Sequence, residues 1–191
     1  MRIGNCVISA VLLALVATSG LAKWESFGPG GGGWLWSLTV APDPAGTVYV
    51  GCDVGGVYRS SDHGKTWAMV SKGLQNHYVQ ALAVDASRPS TIYAGTRGGV
   101  YKSVDGGDRW AMKRTGFPSI ETWDTSAPVA SIAIDPADSR HLLAGIGDEP
   151  TRQMGCRRGG IYVSRDGAET WKSTASSRPL AQAQVYSIVF S

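Results

Sequence analysis

Only three histidines and three cysteines occur among the 191 residues, and neither set is spaced to hold a metal ion. His63, His77 and His141 are scattered, no Asp-rich calcium loop is present, and no Ser or Cys nucleophile motif stands out. The expectation is therefore a chain with no metal and no cofactor. Charge is equally scarce: 17% of residues are charged, and 18 Lys and Arg against 15 Asp and Glu leave a net charge of +3. That surplus is too small to argue for nucleic acid or an anionic membrane surface as partner. Beyond the N-terminus there is no long apolar run and no sustained helical period, so spanning helices and helix bundles find no support. What remains is 43% apolar residues, enough to fold, and 25 glycines clustered in turns.

The N-terminus reads as an export signal. Arg2 precedes VISAVLLALV (7–16) and then SGLA, with small Gly20 and Ala22 where a signal peptidase reads. The reading is a signal peptide over 1–22 and a mature chain over 23–191, secreted or periplasmic, with no membrane contact after cleavage. The run is short for a membrane span, which needs about 20 residues. Cys6 would leave with the signal. Cys52 and Cys156 remain; two buried thiols are the simpler reading, and one disulfide stays open.

The remainder repeats itself. SSDHGKTW (60–67), SVDGGDRW (103–110) and SRDGAETW (164–171) share Ser, then Asp two later, then a turn, then Trp. GGVYRS, GGVYKS or GGIYVS stands just upstream of each box. Further upstream stand TVYVG, TIYAG or HLLAG, and before those SLTVAPDP, ALAVDASRP or SIAIDPADSR. Apolar residues two apart (Leu38 and Val40, Leu82 and Val84, Ile132 and Ile134) mark half-buried strands. Each unit reads as four short antiparallel strands, and the first two boxes are 43 residues apart. That is the blade of an all-β propeller.

The motif resembles the Asp-box, or BNR repeat. The resemblance implies structural roles for Ser60, Asp62, Gly64 and Trp67, for Ser103, Asp105, Gly107 and Trp110, and for Ser164, Asp166 and Trp171. The aspartate accepts turn N–H groups, glycine permits positive φ, and the tryptophan packs on the blade. Arg109 stands where the other boxes have Thr, and Ala168 where they have Gly.

Function in repeats sits where one unit departs from the others. Blade one has GCDVGG where blade two has GTRGG, an added residue around Asp53. An inserted residue makes a bulge that re-aims side chains, so Asp53 would point into a cleft. The alternative is an aspartate bonded to its own turn. The stretch 24–60, with GPGGGGW and CDVGGVYR, resembles the start of glycoside hydrolase family 74, the xyloglucan-cleaving enzymes, with Cys52 where the family usually has Thr. The resemblance implies that Asp53 is the catalytic general base of an inverting hydrolase acting on β-1,4-glucan, with the general acid supplied by a second propeller.

Trp34 and Trp36 are candidate sugar platforms, as is Trp123 in the inserted SIETWDTS (119–126), which also carries Glu121 and Asp124. The long blade-three hairpin (147–160) carries Arg152, Arg157 and Arg158. The last residues, VYSIVFS (185–191), match the opening strand of a further blade. Three blades cannot close a ring, since propellers have about 4–8. The chain therefore reads as an incomplete propeller lacking its remaining blades, inactive alone, with a polysaccharide as partner. The rival reading is a non-catalytic Asp-box propeller that binds protein or cell-surface glycan. Asp-boxes also occur in sialidases, sortilin-type receptors and photosystem assembly factors.

Overall fold

Alternating apolar residues and glycine turns build three four-stranded antiparallel sheets. The structure is a computed structural model that describes residues 28–29, 33–118, 128–147, 159–174 and 185–190. The first sheet holds β1 (Leu35–Val40), β2 (Val48–Cys52), β3 (Val57–Ser60) and β4 (Ala68–Met69). The second holds β5 (Val79–Val84), β6 (Ile92–Thr96), β7 (Gly99–Ser103) and β8 (Ala111–Met112). The third holds β9 (Val129–Ile134), β10 (Leu142–Ile146), β11 (Gly160–Ser164) and β12 (Lys172–Ser173). In each sheet the strands lie in chain order. These are three propeller blades, arranged so that β5 lies beside both β1 and β9. The segment 185–190 continues the series: Val185 abuts Gly145 as Val79 abuts Gly51 and Val129 abuts Gly95. Ser131 Oγ donates to the Val185 carbonyl at 2.7 Å.

Two apolar seams join the blades. Tyr49, Val57 and Val70 of blade one meet Ile92, Tyr101 and Trp110 of blade two. Tyr93 and Val100 of blade two meet Leu142, Ile146 and Trp171 of blade three. The box tryptophan bolts each seam. Trp110 donates through Nε1 to the Val70 carbonyl at 2.7 Å and through its backbone N–H to Lys72 at 2.9 Å. Trp171 donates in the same way to Lys113 at 3.1 Å and to Thr115 at 2.8 Å. The approach is so close that a β-carbon at Gly73 or Gly116 would collide with the Trp110 or Trp171 carbonyl. A cation adds a clip at each seam: Arg59 donates to the Gly106 carbonyl at 2.8 Å and Lys102 to the Gly167 carbonyl at 2.9 Å.

Blade one has no neighbour ahead of it among the described residues. Leu38 and Val40 are 67% and 57% exposed, whereas their equivalents Leu82, Val84, Ile132 and Ile134 pack on the seams. Trp67 is half-buried and turns its Nε1 onto its own turn, at Gly64.

The boxes repeat one hydrogen-bond pattern. Ser60 Oγ donates to Asp62 at 2.7 Å and accepts the Gly64 N–H at 2.8 Å. Asp62 accepts the Thr66 N–H at 2.9 Å and the Thr66 hydroxyl at 2.6 Å. Ser164, Asp166, Ala168 and Thr170 repeat all four bonds. Ser103, Asp105 and Gly107 repeat the pattern with the Arg109 N–H but without a hydroxyl from position 109. Two consecutive residues turn at positive φ in every box: His63 and Gly64, Gly106 and Gly107, Gly167 and Ala168.

These bonds favour the ionised carboxylates. The Thr66 hydroxyl and N–H, with the Ser60 hydroxyl, lower Asp62 to about 2. At Asp166 burial pushes upward, but the Thr170 and Ser164 bonds prevail and hold it at about 2. Asp105 is also lowered, by the Arg109 N–H and then the Ser103 hydroxyl. A carboxylate depressed on folding stabilises the native state above its unfolded pKa of 3.8. That stability is lost as pH falls through the folded value of about 2. Urea midpoints should therefore drop as pH falls from about 4 toward about 2, and Asn at both 62 and 166 should flatten that drop. An undiminished drop in the double variant would place the acid sensitivity elsewhere.

Candidate functional site

Asp53 opens the β2–β3 hairpin, beside the start of β1. Its backbone N–H donates to the Trp34 carbonyl at 3.2 Å, and the Trp34 N–H donates back to Asp53 Oδ1 at 2.9 Å. The carboxylate therefore bonds across to Trp34, the residue just before β1, instead of to its own turn. Gly33, at φ +111°, lies under it, and a β-carbon there would collide with Oδ1. Oδ2 has no hydrogen-bond partner among the described residues, and the side chain is half-buried.

The added residue of blade one acts differently from the sequence-based expectation. It does not make a bulge: Cys52 still bonds Gly56, and three residues rather than two span the hairpin. The bulge lies instead in the β1–β2 ladder at Trp36, where pairing steps from Leu35↔Cys52 to Ser37↔Gly51. Cys52 is a buried free thiol. Its Sγ accepts the Gly55 N–H at 3.1 Å, as the Thr96 hydroxyl of blade two accepts the Gly98 N–H at 3.0 Å. A thiol thus serves the same turn as a threonine hydroxyl.

An aromatic strip runs away from Asp53. The Trp34 and Trp36 rings are 5.9 Å apart, Trp36 and Tyr78 are 5.7 Å apart, and the Arg97 guanidinium lies 3.8 Å over Tyr78. Trp34 is 73% exposed and Trp36 is 41% exposed. The structure brings Asp53, Trp34 and Trp36 together and adds Tyr78 and Arg97, which the sequence reading passed over. A signal existed. Arg97 N–H bonds the Tyr78 carbonyl as Asp53 N–H bonds that of Trp34, so the two pairs are equivalent positions of successive repeats. Exposed aromatic faces beside a carboxylate suit a sugar ring and its hydroxyls.

Trp123, Glu121, Asp124, Arg152, Arg157, Arg158, Cys156 and the proposed signal segment 1–22 lie outside the described residues. Among the described residues no three metal-ligating side chains cluster, and no helix is long and apolar enough to cross a membrane. A cavity of about 320 Å³ lies at the far ends of β5 and β9, lined by Asp85, Ser87, Asp135 and Ser139 among others. Asp85 is held by Ser87 and Arg88, and Asp135 by the Ala137 N–H and His141.

Fold and face together define an Asp-box β-propeller with an exposed aromatic and carboxylate surface. The model of the Sortilin-Vps10 family, described as sortilin, neurotensin receptor 3, matches residues 55–182, more than half of the chain, and the chain belongs to that family. The match begins after Asp53. Over 65 residues the chain is 40% identical to a xyloglucanase of Hypocrea jecorina (strain QM6a), covering 34% of this chain and 8% of that protein. The crystal structure of an ancestral GH74 enzyme superposes with a TM-score of 0.63 at 27% identity, covering 82% of this chain and 20% of that one. The chain thus resembles a propeller region of glycoside hydrolase family 74 and spans a small part of these relatives' length.

Proposed function

We propose that these blades belong to a secreted glycoside hydrolase that cleaves β-1,4-glucan, xyloglucan in particular, with inversion. Asp53 serves as general base, and Trp34 and Trp36 hold the sugar backbone. The observation that carries this reading is the state of the Asp53 carboxylate. One oxygen is fixed by the Trp34 N–H while the other accepts nothing among the described residues, and two exposed tryptophan rings stand beside it. A base must be held in place yet keep one lone pair for water. Inversion also needs a second carboxyl about 6.5–9.5 Å away across the scissile bond, and the family resemblance implies that it comes from another propeller. The 191-residue chain should then bind glucan without cleaving it.

Binding is the direct test. Calorimetric titration of the chain with xyloglucan oligosaccharides should show Trp34→Ala and Trp36→Ala each about tenfold weaker, since an aromatic contact contributes about 1.5 kcal/mol. Asp53→Asn should bind within about twofold, because a base need not contribute to ground-state affinity. No detectable binding by the wild-type chain would sink the reading. The family match, which leaves out Asp53, favours a second reading: a non-catalytic propeller that takes a protein or a cell-surface glycan on this face. It requires binding without any role for Asp53.

A further inference from the structure

The hairpin that carries Asp53 is one residue longer than its counterpart in blade two, and different side chains close the two turns. In blade two the Thr96 hydroxyl serves twice: it accepts the Gly98 N–H at 3.0 Å and donates to the Gly99 carbonyl at 2.9 Å. In blade one Cys52 stands at that position. Its Sγ accepts the Gly55 N–H at 3.1 Å, but a thiol is a weak donor. The donor comes instead from Ser71, just past β4. Ser71 Oγ donates to the Gly55 carbonyl at 2.8 Å and accepts the Val57 N–H at 3.0 Å.

This hydroxyl is particular to blade one. Ser71 follows Val70, whose N–H bonds the Val57 carbonyl; Lys113 and Thr174 make the same bond to Val100 and Ile161. The residues that follow those two are Arg114 and Ala175, neither with a hydroxyl. The serine therefore accompanies the lengthened turn. The turn is pressed onto it: a β-carbon at Gly56, φ +78°, would collide with Ser71 Oγ, and one at Gly55 with the Tyr58 hydroxyl. On the opposite side the Asp53 N–H and carboxylate are tied to Trp34. Asp53 thus lies between two anchors, Trp34 ahead of it and the Ser71-bound Gly55 two residues behind. A general base works only while its free lone pair is aimed, and a displacement of about 1 Å can cost about 100-fold in rate.

We propose that Ser71 is a positioning residue for Asp53: by fixing Gly55 and Val57 it sets the direction of the carboxylate, and it touches neither sugar nor water. This rests on the reading of Asp53 as general base and adds to it the residue that aims it. Ser71 moves no proton in the reaction; its hydroxyl serves the backbone alone.

The Trp34 backbone amide reports the arrangement directly, because it donates to the Asp53 carboxylate. In proton–nitrogen correlation spectra of the 191-residue chain, Ser71→Ala should move the Trp34 amide at least half-way toward its place in Asp53→Ala. Ser71→Thr keeps the hydroxyl and should leave that amide near wild type. Melting should fall by only a few degrees in Ser71→Ala, the scale of one hydrogen bond. In a polypeptide that carries these blades and hydrolyses xyloglucan, Ser71→Ala should lower kcat about tenfold with KM within about twofold, and Ser71→Thr should restore it. A Trp34 amide unmoved in Ser71→Ala overturns the proposal, and so does an equal displacement in Ser71→Thr. If Ser71→Ala does not fold, Ser71→Cys, a weak donor, replaces it and should show the same displaced amide. If Asp53→Asn abolishes turnover while Ser71→Ala leaves it intact, Ser71 alone is misassigned. If Asp53→Asn hydrolyses as wild type does, the base reading falls and the catalytic role of Ser71 falls with it.

Discussion

Trp171→Ala is expected to destabilise the chain by about 3–5 kcal/mol, and Trp110→Ala by a similar amount, whereas Trp67→Ala should cost less than about 1 kcal/mol. The three residues hold the same place in three copies of one motif, so sequence alone would give them one value. Their surroundings differ. Trp110 and Trp171 are buried and fill the seams behind blades one and two. Each uses its indole N–H and backbone N–H to satisfy two carbonyls of the preceding blade. Removing the indole leaves a cavity under a turn that glycine has brought too close to be filled by side-chain movement, and it orphans the Val70 or Lys113 carbonyl. Trp67 is half-buried and bonds only within its own turn, so truncation exposes little that was dry. Urea unfolding with a common slope should show the ordering, and the larger losses correspond to about 10 °C in melting temperature for a chain of this size. Equal losses at all three positions would mean that the box turn, not the seam, is what the tryptophan stabilises.

The blades were legible because they are local. Alternation, Gly-Gly turns and the Ser–Asp–Trp box each specify backbone shape within a few residues, and the three copies agree. Even the departures read correctly at that range. Ala168 still turns at positive φ, in line with Gly64 and Gly107, and Arg109 costs its box one hydroxyl bond. The site was less legible because its parts come from different repeats. Asp53, Trp34 and Trp36 stood out by residue type, but Tyr78 and Arg97 join them only through a seam between blades. The bulge at Trp36 leaves no mark in residue spacing, since bulges at Gln80 and Ala130 preserve the same count in every unit. An insertion visible by counting, around Asp53, proved to lengthen a turn, while the bulges that aim side chains were hidden by their own regularity.

In a polypeptide that carries these blades and hydrolyses xyloglucan, Asp53→Asn is expected to lower kcat by about 10²–10⁴, the usual contribution of a general base. Asn is the informative replacement. Its amide oxygen can still accept the Trp34 N–H that now bonds Oδ1, so the clasp between the glycine-rich entry and the first hairpin is kept. Its nitrogen replaces the oxygen that would take water's proton. Asp53→Ala removes the clasp as well and would confuse a loss of chemistry with a displaced Trp34. Melting temperature and oligosaccharide affinity should therefore stay near wild type in Asp53→Asn while turnover collapses. A fall in affinity equal to the fall in turnover would instead make Asp53 a ground-state ligand for the sugar. Unchanged hydrolysis would leave the carboxylate as a fastening between Trp34 and the first hairpin, and the aromatic strip as a binding face alone.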